Sequence, residues 1–207
     1  MIEPARFPRW QAEVVEARKV PRAPGGPKRR NAPKTKARIL AAAQQAFSEL
    51  GYSQAGIRDI AAIAGISSPL LLRYFGSKAG LFEAALIDAM PLDRIFERGR
   101  DGFGEHLASL LLDVALDLKP PAMVALSTGD ADAREIATRV TEKYAVAPLA
   151  EWLGPPDARA RAVQISMLCT GFVMYTRQLP VMPAAKGVDK KLAKWLARSL
   201  QAIVDQS

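Results

Sequence analysis

The 207-residue chain holds one cysteine and one histidine. A lone Cys169 excludes an intrachain disulfide and a multi-cysteine metal site, and it suits a reducing cytoplasm. Neither Cys169 nor His106 has an evident catalytic partner in the sequence, and His106 is read as a rim or surface residue. No phosphate loop, nucleophile elbow or metal-ligand spacing occurs, so no catalytic residue, metal or cofactor is expected and the chain is not read as an enzyme. Runs of the ~18 apolar residues that a membrane span needs are missing too. Residues 1–33 lack the apolar segment of a secretory signal, so the expected location is the cytoplasm, away from membranes. Sustained strand alternation is also missing, which leaves an all-α fold class.

Against these absences stands an uneven charge. The net charge is +8, and hydrophobic residues make up 49% of the chain, enough for a sizeable core. Residues 1–78 carry fourteen Lys and Arg against five Asp and Glu, a balance of +9, whereas residues 79–207 balance at −1. A basic first third and a nearly neutral remainder imply one end that meets a polyanion and another with a different task. Nucleic acid is the polyanion favoured.

Residues 1–33 contain six prolines and eight basic residues, a composition that disfavours packing and reads as a basic arm. It serves either as a solubilising tail or as a DNA-contacting arm, with Arg29, Arg30, Lys34 and Lys36 best placed for contact. From Thr35 onward the periodicity is helical. Ile39, Ala43, Phe47 and Leu50 predict a helix over 35–50 that Gly51 stops. Ile57, Ile60, Ala61 and Ala64 predict a second, capped by Gly56, and Ser67 starts a third whose first turn tolerates Pro69. Leu81, Phe82, Ala85 and Leu86 open a fourth. Phe103 to Leu118 form a stripe ended by Pro120 and Pro121, and Ile136 to Tyr144 begin a helix kinked at Pro148. Two longer helices follow, over 157–179 and 189–205.

The segment IRDIAAIAGISSPLLLRYFGSK, residues 57–78, joins a short apolar helix, a turn at Gly65 and a Ser-started helix ending in Arg73, Tyr74 and Lys78. That is the pattern of a helix-turn-helix: one helix crosses the DNA backbone while the next lies in the major groove.

Over residues 34–86 the text KTKARILAAAQQAFSELGYSQAGIRDIAAIAGISSPLLLRYFGSKAGLFEAAL resembles the N-terminal domain of the TetR (tetracycline-repressor type) transcriptional regulators. The resemblance implies three parts: an arm over 1–33, a three-helix DNA-binding domain over 34–86, and a helical ligand-binding and dimerisation domain over 87–207. It makes Ser67 to Tyr74 the recognition helix, with Ser67, Ser68, Pro69, Leu70, Leu72, Arg73 and Tyr74 facing DNA. Lys78 becomes a phosphate clamp and Arg58 an outward contact of the preceding helix. Members often place Thr and Tyr where this chain has Leu70 and Leu72. Two leucines substitute apolar contact, for instance with a thymine methyl, for hydrogen bonding. Arg73 can form paired bonds with guanine or bind a phosphate.

The resemblance also implies a homodimer on a palindromic operator and release by an unknown small-molecule effector. Leu168, Gly171, Val173, Leu196 and Leu200 are candidates for the dimer interface, and Phe103, Met123, Trp152, Met167, Phe172 and Tyr175 for the ligand pocket. Sequence leaves open whether these residues belong instead to the subunit core. The leading expectation is a repressor. The alternative is a nonspecific nucleic-acid-binding helical protein that uses its basic arm.

Overall fold

The computed structural model describes residues 32–90, 92–113, 115–116, 118–179, 181 and 189–206. The expected arm lies outside them except for its last two residues. Among the described residues the chain is built of helices and turns, without strands.

Helix α1 (Ala32–Gln54) buries Ile39, Leu40, Ala43, Ala46 and Phe47, the face that the sequence periodicity marks. At Gly51 the backbone leaves helical geometry, with φ 75 and ψ 170, a conformation that suits a residue without Cβ. Leu50, the fourth residue of the expected stripe, therefore faces outward, and Tyr52 beyond the break fills the interior. Its ring lies 5.9 Å from that of Phe47 and 5.2 Å from that of Phe82, and Phe47 meets Phe82 edge-on at 5.1 Å. Three short helices complete the headpiece: α2 (Ile57–Ile63), α3 (Ser68–Phe75) and α4 (Lys78–Ala89). Gly56 caps α2 as expected, while Ser77 caps α4 by accepting a 3.0 Å bond from Gly80 N–H.

The apolar core does not divide at residue 86. Phe47, Leu71, Leu81 and Phe82 share one cluster with Met123 of α7 (Lys119–Leu126) and with Ala133, Ile136 and Val140 of α8 (Ala131–Thr141). Polar ties run alongside: Gln44 Nε2 donates to Ala85 O at 3.2 Å, and Arg139 of α8 pairs with Glu83 of α4 at 2.9 Å. Between these helices in sequence come the short α5 (Leu92–Ile95) and α6 (Phe103–Leu112).

A second cluster joins α6 to α9 (Ala147–Leu153), α10 (Ala158–Val173) and α11 (Lys190–Val204). Gly104 lets α6 lie against α11, because a Cβ there would run into Ala197 O and come within 2.7 Å of Gln201 N. Its own N–H donates to Gln201 Oε1 at 2.9 Å.

Prolines act differently from the sequence expectation. The stripe from Phe103 is helical only to Leu112, where Asp113 turns extended, and Arg177 donates to the carbonyls of Leu111, Asp113 and Leu116 at 3.0, 3.0 and 2.6 Å. Pro120 and Pro121 open α7 rather than end α6, since the first turn of a helix has no use for their missing N–H groups. Pro148 produces no break. A π-helical turn, Glu142–Val146, precedes it, and Ala147 N–H reaches back to Glu142 O, so the ladder has already shifted register where the proline enters. A second such turn, Met174–Gln178, extends α10.

Arg161 on α10 is 2% exposed. It donates to Val204 O at 3.3 Å and Gln206 O at 2.7 Å at the end of α11, and to Leu153 O at 3.2 Å and Gly154 O at the end of α9. One buried cation thus satisfies two helix C-termini, whose orphan carbonyls carry partial negative charge. Arg161→Ala is expected to destabilise the fold by about 3–5 kcal/mol in urea titration, since four carbonyls lose their donor around a void. Arg161→Lys should recover only part of that, because one ammonium cannot span both ends.

Candidate nucleic-acid interface

The turn between α2 and α3 runs through Ala64 and Gly65, and Gly65 takes φ +63, the left-handed conformation that the turn requires. Its carbonyls are held by a residue that the sequence reading passed over. Arg38 on α1 donates from Nε (3.2 Å) and Nη2 (2.6 Å) to Ala64 O and from Nη2 (3.3 Å) to Gly65 O. In sequence Arg38 is one more basic residue near Lys34 and Lys36, and charge alone names no acceptor. It is a positioning residue for the helix-turn-helix.

Helix α3 is anchored by Leu71, fully buried, with Phe75 packed on the same cluster. This anchoring turns Pro69, Leu70, Leu72 and Arg73 outward, with Leu70 and Leu72 left 36% and 39% exposed. Ser67 is exposed but makes no side-chain cap; its carbonyl accepts from Leu71 N–H at 3.1 Å. Ser68 and Tyr74 are half-buried, and the Tyr74 ring leans on Phe75 at 6.2 Å. Chemically the outward face offers two branched apolar groups beside one guanidinium. That combination suits thymine methyls next to a guanine or a phosphate.

Lys78 does not stand free. Its Nζ donates to Ser53 O at 3.3 Å and lies 4.6 Å over the Tyr52 ring, which leaves two N–H groups for an anion. Burial pulls the Lys78 pKa below the usual lysine value, with Asp130 opposing, and burial together with Asp130 and Asp132 raises that of Tyr52. Arg58, in the first turn of α2, and Lys34, in the first turn of α1, are exposed, and Lys36 is half-buried.

Among the described residues of the body, two hollows stand out. A cavity of about 140 Å³ lies between α5, α6, α7, α8 and α10, walled by Leu107, Leu111, Val124, Leu149 and Ile165 among others, with Arg94 at one edge. None of the six residues expected in a pocket lines it. Phe103 and Met123 are fully buried in the two core clusters, and Trp152 packs on Phe103 at 4.9 Å and Phe96 at 5.1 Å. Met167, Phe172 and Tyr175 line the other hollow, a groove of about 350 Å³ over α10 and α11, together with Leu168, Gly171, Leu192 and Trp195. Leu168 and Gly171, expected at an interface, therefore lie in an open groove. Val173, Leu196 and Leu200 are turned into the subunit core with no exposed surface. Helical periodicity marks apolar residues without saying which helix covers them.

Two family descriptions match the chain. Bacterial regulatory proteins of the tetR family match residues 39–85, and the tetracyclin repressor-like C-terminal domain matches residues 101–204, half of the chain. The transcriptional activator FasR of Mycolicibacterium smegmatis is 40% identical over 78 residues, 36% of either chain. The transcriptional repressor BdcR of Escherichia coli is 35% identical over 103 residues, 47% of this chain and 50% of BdcR. The chain thus spans half or less of the length of these curated relatives. A TetR-family regulator of Streptomyces coelicolor A3 superposes with a TM-score of 0.51 at 28% identity, over 86% of this chain and 99% of that one. A TetR-family protein of Rhodococcus sp. shares the fold with a TM-score of 0.64 at 22% identity, over 84% and 100%. Nothing in these likenesses supports a nonspecific binder. With the helix-turn-helix in its headpiece and the matching domain behind it, the chain belongs to the TetR family of bacterial regulatory proteins, which bind DNA and control transcription.

Proposed function

We propose that two copies of the chain bind a palindromic operator as a repressor, each laying α3 into a major groove, and that a small molecule in the body releases them. The single observation that carries the reading is α3 itself: a turn locked by Arg38 presents Pro69, Leu70, Leu72 and Arg73 outward beside the cationic Lys78. Four outward residues read few base pairs. Doubling the reader, with half-sites about 34 Å apart, supplies the missing affinity and specificity. Arg58, Lys34 and Lys36 add phosphate contacts, which set register rather than sequence. A regulator that binds bacterial DNA works where that DNA lies, in the cytoplasm.

For the second copy the groove over α10 and α11 is the favoured face. Met167, Tyr175 and Trp195 stand 67%, 58% and 51% exposed around it, an apolar patch of the kind that monomers seldom leave in water. Leu168 and Gly171 belong to that face.

The cavity beside α7 is the favoured effector site. Pro120, Pro121 and Val124 of α7 wall it, and the same helix ends at Leu126 against Gly51, where an added Cβ would lie 3.1 Å from Leu126 O. A molecule larger than about 140 Å³ either extends past the Arg94 edge or displaces a wall, and displacing α7 moves a helix that touches the break in α1. The effector acts only through its preference for the displaced arrangement, so operator DNA must weaken effector binding by the same factor.

Variants at four positions test this reading by fluorescence anisotropy on a promoter-derived palindrome and a scrambled duplex. Arg73→Ala should cost about 1–3 kcal/mol on the palindrome and less on the scrambled DNA, whereas Lys78→Gln should weaken both alike and lower the salt slope by about 1. Equal losses for Arg73→Ala on the two duplexes would reduce Arg73 to a phosphate contact. Arg38→Met should weaken palindrome binding without altering the salt slope, and Arg38→Lys should not restore it, since an ammonium lacks the fork that spans two carbonyls. Gly51→Ala should lower stability by more than about 1 kcal/mol and also weaken palindrome binding, although residue 51 is buried. Unchanged operator affinity in that variant would leave the contact between α7 and α1 without a role in release.

A further inference from the structure

The cavity between α7 and α10 has a one-sided chemistry. Among its described lining residues Arg94 is the only charged group; no Asp or Glu is present. The backbone at Arg94 is tied to α6, because its carbonyl meets His106 Nε2 at 2.6 Å.

Polar groups deeper in the wall are few. Ser166 spends its hydroxyl on Ala162 O at 2.9 Å, while the buried hydroxyl of Thr141 has no hydrogen-bond partner among the described residues. Burial pushes the Cys169 thiol up to about 12, so it stays protonated and behaves as a small apolar group rather than a nucleophile. Covalent capture of an electrophile is therefore disfavoured, as is a cationic or strongly polar ligand. At about 140 Å³ the space matches an engineered cavity of about 150 Å³ that takes benzene, so the enclosed part of a ligand is about six carbons before any helix moves.

Resting on the effector reading above, we propose that this cavity takes a small amphiphilic anion, its hydrocarbon body among Leu107, Leu111, Leu149 and Ile165 and its carboxylate at Arg94. The apolar walls supply affinity by removing hydrocarbon from water, and the single guanidinium supplies orientation and the choice of charge. A chain longer than the cavity holds extends past Arg94 or presses on the walls, and α7 is one of them.

Calorimetric titration of the full chain with octanoate, 1-octanol and octylamine tests the assignment, the three probes sharing one body and differing in charge. Octanoate should bind about tenfold more tightly than octylamine, with octanol between them. Arg94→Gln should cost octanoate about tenfold while leaving octanol within about twofold, and Arg94→Glu should reverse the order of octanoate and octylamine. Arg94 is exposed, so these variants should fold, and circular dichroism checks that they do. Equal affinity for octanoate and octylamine, no binding of any probe, or octanoate binding untouched by Arg94→Gln would overturn the proposal. A parallel mobility shift on operator DNA separates it from the effector reading. Octanoate that binds through Arg94 yet leaves DNA bound sinks the release mechanism alone; release by a molecule indifferent to Arg94 sinks the anion assignment alone.

Discussion

Three aromatic rings hold the molecule's working parts in one frame. Phe47 and Tyr52 from α1 and Phe82 from α4 contact one another at 5.1–5.9 Å in the middle of a cluster that continues into α7 and α8. Burying such rings is among the largest single contributions a small helical domain can make. The packing also sets geometry. It fixes α1, and α1 carries Arg38 to the turn carbonyls; it fixes Tyr52, and Tyr52 supports the Lys78 ammonium. A headpiece of short helices would otherwise be marginal, since seven- and eight-residue helices such as α2 and α3 have little stability of their own.

That shared core joins the headpiece to the body. Because Met123, Ile136 and Val140 pack in the same cluster as the headpiece residues, a shift of α7 or α8 cannot stay local. Close-packed interiors transmit displacement rather than absorb it. Gly51 marks a close contact between α1 and α7, with Leu126 set against a backbone that no side chain cushions. On the far side, Arg161 and Arg177 hold the body's frame, each joining segments that are distant in sequence by donating to carbonyls at helix ends.

Cations here stand in three separate settings that composition alone counts as one. Arg73 and Arg58 face outward, Arg38 and Arg161 tie backbone together, and Arg94 stands at the edge of an apolar cavity. The excess of positive charge in the first third is nonetheless informative, since long-range attraction to a polyanion follows net charge whatever each side chain touches.

The helical class, the four headpiece helices, the turn at Gly65 and the outward Arg73 were legible in sequence, because helix periodicity, glycine turns and caps are local properties of consecutive residues. The same local signals misplaced what depends on distant partners. Pro120 and Pro121 look alike whether they end one helix or begin the next, and Pro148 is harmless only because the π-helical turn before it has already changed the hydrogen-bond register. Apolar residues such as Phe103, Met123, Val173 and Leu196 carry one pattern for core, pocket and interface, and only the packing of α7 on the headpiece and of α6, α10 and α11 on one another buried them. Likewise Arg38 is one basic residue among several until the fold brings the carbonyls of Ala64 and Gly65, 26 and 27 residues away, within reach of its guanidinium. What a side chain is follows from the chain's order; what it touches is decided by which helices the shared core draws together.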